Sequence, residues 1–468
     1  MDPRPPEPEA PGAKRAVLLV VMIASFLAPF MASAVNVALP DIAREFSLNA
    51  VSIGWVITAY LLSASVCLLP CGRLADLHGR RNVFLVGMAI ATAGALLSGL
   101  ARSAPLFLAA RVLHGAGAAM GFATAMALLI SVVPPRERGR ALGWNVAAVY
   151  LGLSLGPVIG GVLTHEWSWR GIFWLNVALG LLALGLAWGK LRAQPAEAPH
   201  EPFDGVGSLL YGGTLVALML GGSRLPRPAG ALLLGASAVG FLVFVRWERR
   251  CRSPIFDVRL FARNRVFLFG NLAALINYAA TTAVAFLLSQ YLEYLRGLTA
   301  EQTGALLIVQ PAVMTLFSPV AGRLSDRFEP GRMASAGMAL AVVGLAGFAA
   351  LGPATSLWAV AAGLGVLGLG FALFSSPNTN AVMSSVGREH YGTASGTLGT
   401  MRLVGQMLSM AVVMAIVALL LGRAQIVPQN HPAYLHCIRT SFAVFAGLCA
   451  CGICASVVRG KRDGAAAV

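Results

Sequence analysis

Two arginines stand inside long apolar runs: Arg111, in APLFLAARVLHGAGAAMGF, and Arg402, in GTLGTMRLVGQMLSM. A guanidinium in such surroundings is costly to bury. It can hold a substrate's charge, join a proton relay or bond a neighbouring helix. His114 follows Arg111 by three residues and shares its helical face. An imidazole there can carry a proton near neutral pH, or simply be a hydrogen-bonded packing group. Around Arg402, the glycines Gly396, Gly399 and Gly405 point to a closely packed neighbour, so a bond to helix carbonyls and a contact with substrate both stay open. No Asp or Glu falls midway along any apolar run; the nearest are Asp41, Glu45 and Glu293, all close to run ends. The neutral polar residues Asn36, Tyr60, Tyr278, Gln310, Asn378 and Asn380 can line a cavity or bond helix to helix. With two cations and no central carboxylate, the field of such a cavity favours neutral or anionic amphiphiles.

The elements that must position these groups follow from composition and repetition. The 468 residues are 57% hydrophobic and only 12% charged, against about a quarter charged in soluble domains. Apolar runs of this length are membrane-spanning helices, and barrel strands, which alternate, do not produce them. Fourteen runs are counted, two of which, 206–222 and 229–246, lie between two sets of six. The net charge of +16 would suggest nucleic acid in a soluble protein, but the basic residues sit in short loops. With the N-terminus in the cytoplasm, the inside segments hold 25 Lys and Arg, the outside segments eight, and two lie within spans. That bias orients the chain with both termini inside, and no nucleic acid partner is expected. The first run is longer than a cleavable signal core and is expected to be retained. Cys449, Cys451 and Cys454 sit in the last run as small packing residues; no metal or cofactor is expected.

The sequence GRLADLHGRR at 72–81 returns as GRLSDRFEPGR at 322–332, between apolar runs both times. A six-span module has therefore been duplicated, the usual build of a secondary transporter. Gly72 and Gly79 allow a tight reversal. Asp76, Arg80 and Arg81 can form a charge network against a helix end and so latch one conformation; Gly322, Asp326 and Arg327 are the second copy. Gly152, Gly156 and Gly160 recur every four residues beside Pro157 and Gly161, forming a face that admits another backbone.

These segments resemble the major facilitator superfamily, specifically its fourteen-span drug:proton antiporter branch. GRLADLHGRR is similar to that family's loop between spans two and three, RVLHGAGAA to its fourth-span motif, GLSLGPVIGG to its fifth-span antiporter motif, and VNVALP to the branch's first-span signature. SPNTNAV and GTASGTLGTMR match its style as well. The resemblance implies an all-α membrane fold of two six-helix bundles, 1–200 and 264–468, with two extra helices and a cytoplasmic loop in 201–263. It implies alternating access governed by the two loops, export marked by the glycine face of span five, and proton antiport of amphipathic small molecules by a monomer in the cell (inner) membrane. The first-span signature carries an acidic residue where this chain has Met31, so proton carriage must use another group, among them Asp41, Glu293 or His114. Transport of organic anions or lipids with weak or no proton coupling is the alternative. An enzyme is not expected: the sequence has no Ser/His/Asp grouping, no metal-spaced His cluster and no phosphate-binding glycine loop.

Overall fold

The protein, seen in a computed structural model, is described over residues 11–133, 137–191, 202–325, 327–387 and 391–458. Asp326, one of the expected loop residues, lies outside them. The first six long helices are α1 (Pro11–Glu45), α2 (Ala50–His78), α3 (Arg80–Leu100), α4 (Ala104–Val132), α5 (Arg138–Glu166) and α6 (Arg170–Lys190). A hairpin follows, α7 (Gly205–Ser223) and α8 (Pro228–Glu248), then the short α9 (Val258–Arg263). The second set is α10 (Arg265–Thr281), α11 (Val284–Gln290), α12 (Ala300–Leu307), α13 (Val309–Ser325), α14 (Pro330–Ala349), α15 (Leu357–Ser384), α16 (Tyr391–Leu420) and α17 (His431–Val458). Among the described residues, fourteen helical stretches are long and apolar enough to cross a membrane. They agree with the fourteen runs in the sequence. An even number of crossings returns the chain to the face it started from, called below the terminal face.

Two of the crossings are broken, which the apolar pattern does not show. The ninth runs through α10, α11 and a π turn at Tyr291–Leu295. At its break, Thr281 and Thr282 turn their hydroxyls back to the carbonyls of Asn277 and Tyr278, both at 2.8 Å. The Ala283 N–H, left over, donates to Ser409 Oγ of α16 at 3.0 Å. The tenth crossing is interrupted at Ile308, between α12 and α13. Pro311 lies three residues on and supplies no N–H to the helix ladder.

Helix starts are fixed locally. Asn49, Asp204 and Asn264 cap α2, α7 and α10 through side-chain oxygens on backbone N–H groups, and Thr299 with Gln302 forms a capping box on α12. The packing then repeats. In the first six crossings α1 lies on α5, α2 on α4, and α3 on α4 and α6; in the last six α10 lies on α16, α13 on α15, and α14 on α15 and α17. The pairs correspond crossing by crossing, the structural counterpart of the duplicated loop. The two sets meet along α2 against α16 and α5 against α12. In the hairpin, α7 rests on both α2 and α16, one helix from each set. The Tyr211 hydroxyl donates to the Ser65 carbonyl at 3.1 Å there.

Removing the hydroxyl that closes the break in the ninth crossing is expected to leave the buried Ala283 N–H unpaired. Ser409→Ala should lower stability by about 1–3 kcal/mol, seen as a lower melting temperature of the detergent-purified protein; an unchanged melt would mean that the break closes by another route.

Candidate functional site

The glycine face of α5 has two uses, set by which side of the helix each residue occupies. On one side a Cβ on Gly152 would meet the Phe26 carbonyl oxygen at 2.5 Å, one on Gly156 the Phe30 oxygen at 2.9 Å, and one on Gly160 the Ala34 Cβ at 2.8 Å. These three glycines therefore seat α5 directly on the backbone of α1. On the adjacent side, Gly161 faces the other half: its Cβ would lie 2.7 Å from the Ala300 carbonyl oxygen. Gly304 of α12 in turn abuts the Pro157 carbonyl. One helix turn of α5 thus carries both the intra-half contact and the seam.

The seam is drawn tight at the face opposite the termini. The Ala50 N–H donates to the Ala424 carbonyl at 2.9 Å. The Ser289 hydroxyl lies 2.6 Å from the Asn36 carbonyl and 3.1 Å from a carboxylate oxygen of Glu293. A Cβ on Gly54 would strike Met414 Cγ at 2.7 Å. Beside this closure is a cleft of about 430 Å³ lined by Asp41, Arg44, Thr164, His165, Glu293 and Tyr294. Asp41 and Arg44 pair on the α1 side, and Glu293 enters from the π turn on the other. Close by, ligand atoms of His165, Glu166 and Glu301 come within 4.8 Å of one another, all three residues being exposed; exposed acidic groups meet in this way without an ion.

The two intramembrane arginines differ in kind. Arg111 is 1% exposed and bonded on several sides. Its Nε donates to the Val56 carbonyl of α2 at 3.2 Å, one terminal nitrogen lies 3.3 Å from His114 Nδ1, and its guanidinium carbon is 4.7 Å from the centre of the Tyr60 ring. Arginine only donates, so His114 Nδ1 accepts in this arrangement. His114 also meets the Tyr60 ring edge-on at 5.2 Å and packs beneath Gly94 of α3. Arg111, His114 and Tyr60 form one cluster that ties α4 to α2. Arg402 is half-buried and makes no hydrogen bond or ion pair among the described residues; its Nε is sealed from solvent without a partner. Its one contact of note is the Tyr278 ring, 5.2 Å from the guanidinium carbon. Gly405, one turn on, makes this possible, since a Cβ there would meet the Leu275 carbonyl at 2.6 Å.

The neutral residues divide similarly. Asn378 is buried and its amide donates to the Gly270 carbonyl at 3.1 Å, joining α15 to α10. Asn36 donates to the Ala32 carbonyl at 2.7 Å, leaving its buried Oδ1 unpaired. Asn380 is exposed, 3.4 Å from Ser325 Oγ at the terminal face beside the second loop. Gln310 is half-buried in α13, whose backbone there is approached by Gly368. The sequence alone did not mark Tyr150. Its hydroxyl accepts from Ser318 Oγ at 3.2 Å across the seam and lies within electrostatic reach of Tyr278 and Arg402. Its place two residues before Gly152, where α5 carries its motif, was the available signal. Ser154 and Thr315 also meet across the seam, 3.3 Å apart.

At the terminal face the first loop engages a helix end. Arg81 donates through Nε to the Leu191 carbonyl at 2.6 Å and through a terminal nitrogen to Trp188 O at 3.3 Å, capping the C-terminus of α6. Asp76 and Arg80 approach to 3.9 Å. Gly79, at φ 88°, both ends α2 and starts α3, a backbone state that L side chains resist. In the second copy Arg332 pairs with Glu329 at 2.7 Å, Arg327 is exposed, and Gly322 sits over Ser376.

With this geometry in place, comparison with known proteins assigns the lineage. The chain matches the family model described as Major Facilitator Superfamily over residues 21–410 and 270–465. The chain belongs to the major facilitator superfamily. Among its relatives, the riboflavin transporter RibZ of Clostridioides difficile is 30% identical over 446 residues, covering 94% of this chain and 96% of that one. The multidrug resistance protein Stp of Mycobacterium tuberculosis is 33% identical, covering 86% and 76%. The cephamycin export protein CmcT of Amycolatopsis lactamdurans is also 33% identical, covering 85% and 84%. The fold matches the crystal structure of a bacterial homologue of the human lysosomal transporter Spinster with a TM-score of 0.71 at 16% identity, over 96% of this chain and 97% of that one. This major facilitator protein is therefore a multi-pass membrane protein and a secondary transporter of small molecules, not an enzyme.

The contrast between the arginines has a direct consequence for stability. Arg111→Gln is expected to cost about 2 kcal/mol through lost charge-assisted bonds, and Arg402→Gln to cost little; equal losses in the melting of the two purified variants would refute the distinction.

Proposed function

We propose that this transporter exports amphipathic small molecules from the terminal face, which is cytoplasmic, to the opposite face by alternating access, in exchange for protons. The observation that carries the reading is the double use of α5. Gly152, Gly156 and Gly160 bind it to its own half, while Pro157 and Gly161 form a backbone-close seam with α12. A seam built of small residues closes without side-chain rearrangement and parts as one surface. The two sixes, 1–200 and 264–468, are the moving bodies, and 201–263 bridges them through α7. The loop at 72–81, with Arg81 on the end of α6, couples the terminal ends of α2, α3 and α6 during the switch. Lys and Arg placement supports cytoplasmic termini in a bacterial cell membrane, and the protein works as a monomer. Export is supported by the fifth-span motif and by relatives named for multidrug resistance and cephamycin export.

Proton carriage is assigned to Asp41 and Glu293. They line one cleft from opposite halves at the closed end of the seam, where a proton can enter from the far side and be held while the seam is shut. His114 is enclosed with Arg111 and Tyr60, away from that cleft. The absence of a carboxylate midway along any span favours a second reading, flux of anions or lipids without proton exchange.

In liposomes carrying an internal pH dye, a substrate gradient is expected to drive proton movement that Glu293→Gln and Asp41→Asn reduce at least tenfold and His114→Gln leaves largely intact. Substrate flux without any proton movement would sink the antiport assignment and favour the second reading. Gly304→Leu is expected to hold the seam apart and abolish flux while the protein still folds; undiminished flux would contradict the seam.

A further inference from the structure

Arg402 sets a problem that the fold does not solve. Placing a guanidinium inside the membrane is tolerated where it pairs with a carboxylate or spends its donors on carbonyls. Arg111 does the second. Arg402 does neither among the described residues: it has five N–H donors, no hydrogen bond, and no Asp or Glu along the middle of any span to meet it. It lies about three turns in from the terminal face of α16, over the face of Tyr278. Tyr278 is held edge-on by Phe371 at 5.4 Å. From the other half, the Tyr150 hydroxyl lies within electrostatic reach of Arg402 and Tyr278. Ser318 Oγ donates to it at 3.2 Å and the Ser375 side chain lies within hydrogen-bonding reach as well; with both serines as donors, the phenolic proton is available to a further acceptor. The result is a cation and a second donor, one from each half, set among aromatic faces at the seam.

Resting on the reading of this chain as a transporter of amphiphiles, we propose that Arg402, Tyr150 and Tyr278 form a subsite for the anionic group of the substrate. The fitting chemistry is a carboxylate or similar planar oxyanion on an aromatic body. The guanidinium fork donates to both oxygens of such a group. Tyr150 donates to one of them, and the rings of Tyr278 and Phe371 take the flat body in offset or edge contact. A ligand held this way touches α5 of one half and α10 and α16 of the other, so its binding bears on the seam.

The test uses full-length protein purified in detergent and two probes of one shape, 2-naphthylacetate and its uncharged amide, with binding followed by calorimetry. The wild-type protein should prefer the carboxylate. Arg402→Gln should weaken carboxylate binding by about tenfold or more, the scale of a lost charge-assisted hydrogen bond, and leave the amide unchanged. Arg402→Lys should keep part of the preference, and Tyr150→Phe should cost less than Arg402→Gln. Equal binding of acid and amide by wild-type protein, no binding of either, or an Arg402→Gln variant that melts normally and keeps the preference would each overturn the proposal. Vesicle flux separates it from the export reading. Charge-selective, Arg402-dependent binding without flux would leave the subsite standing and remove export; flux of the amide and acid alike would do the reverse.

Discussion

Close approach of bare backbone is the constraint on which this structure rests. In a bilayer the hydrophobic effect does not draw helices together, so contact area and fit must do so. Here α5 lies on α1 through Gly152, Gly156 and Gly160, and α12 lies on α5 through Gly304. Substituting any of these glycines pushes a side chain into a carbonyl or a Cβ. The same economy appears between α4 and its neighbours, where Gly115 fits against α2 and Gly117 against α3. Everything polar in the seam takes its position from these contacts, since a shift of an ångström in α5 or α16 would part Tyr150 from Ser318 and lift Arg402 from Tyr278.

Polar groups are treated unevenly across the molecule. Within the halves some buried polar atoms stand without a partner among the described residues, including Asn176 Nδ2 of α6 and Asn271 Oδ1 and Asn277 Nδ2 of α10, while strong bonds tie the helix ends. Glu45 takes two bonds from Arg170 and one from Trp169 at the opposite face, tying α1 to α6. In the second half, Arg296 and Tyr291 bind the turn between α14 and α15, through Thr355 and the Gly352 carbonyl. At or near the seam, Arg402 Nε and Asn36 Oδ1 are left without partners. Unpaired polar groups weaken a protein unless something transient satisfies them. At the seam, a bound ligand can be that transient partner.

Much of the fold was legible in the sequence because its signals were long and repeated. Fourteen apolar runs and two copies of one loop suffice for an all-helical membrane fold of two related halves, and the packing of α1 on α5 against α10 on α16 bears this out. The breaks in the ninth and tenth crossings were not legible. They depend on Thr281, Thr282 and Pro311 within apolar stretches, and on a distant hydroxyl, Ser409, that makes one of them tolerable. The site was legible as a set of residues and not as roles. Arg111 and Arg402 look alike in sequence, each one cation in a run of glycines and aliphatics. Only the three-dimensional neighbours separate the one bonded to Val56 and His114 from the one that has no hydrogen bond among the described residues. Asn380 met the same limit: in sequence it stands two residues from Asn378, yet the two face different surroundings, one exposed and the other interhelical.

The central claim is that the seam at the face opposite the termini opens and closes as the transporter works. The most direct test is a distance measured across it. Spin labels at Ser47 and Gln425, exposed neighbours on the two sides of that closure, would report it by pulsed electron resonance in lipid nanodiscs. The account predicts one short distance in the resting protein and a second, longer population when substrate is present or the pH is changed. A single short distance under every condition in which the same labelled protein still carries substrate would contradict it.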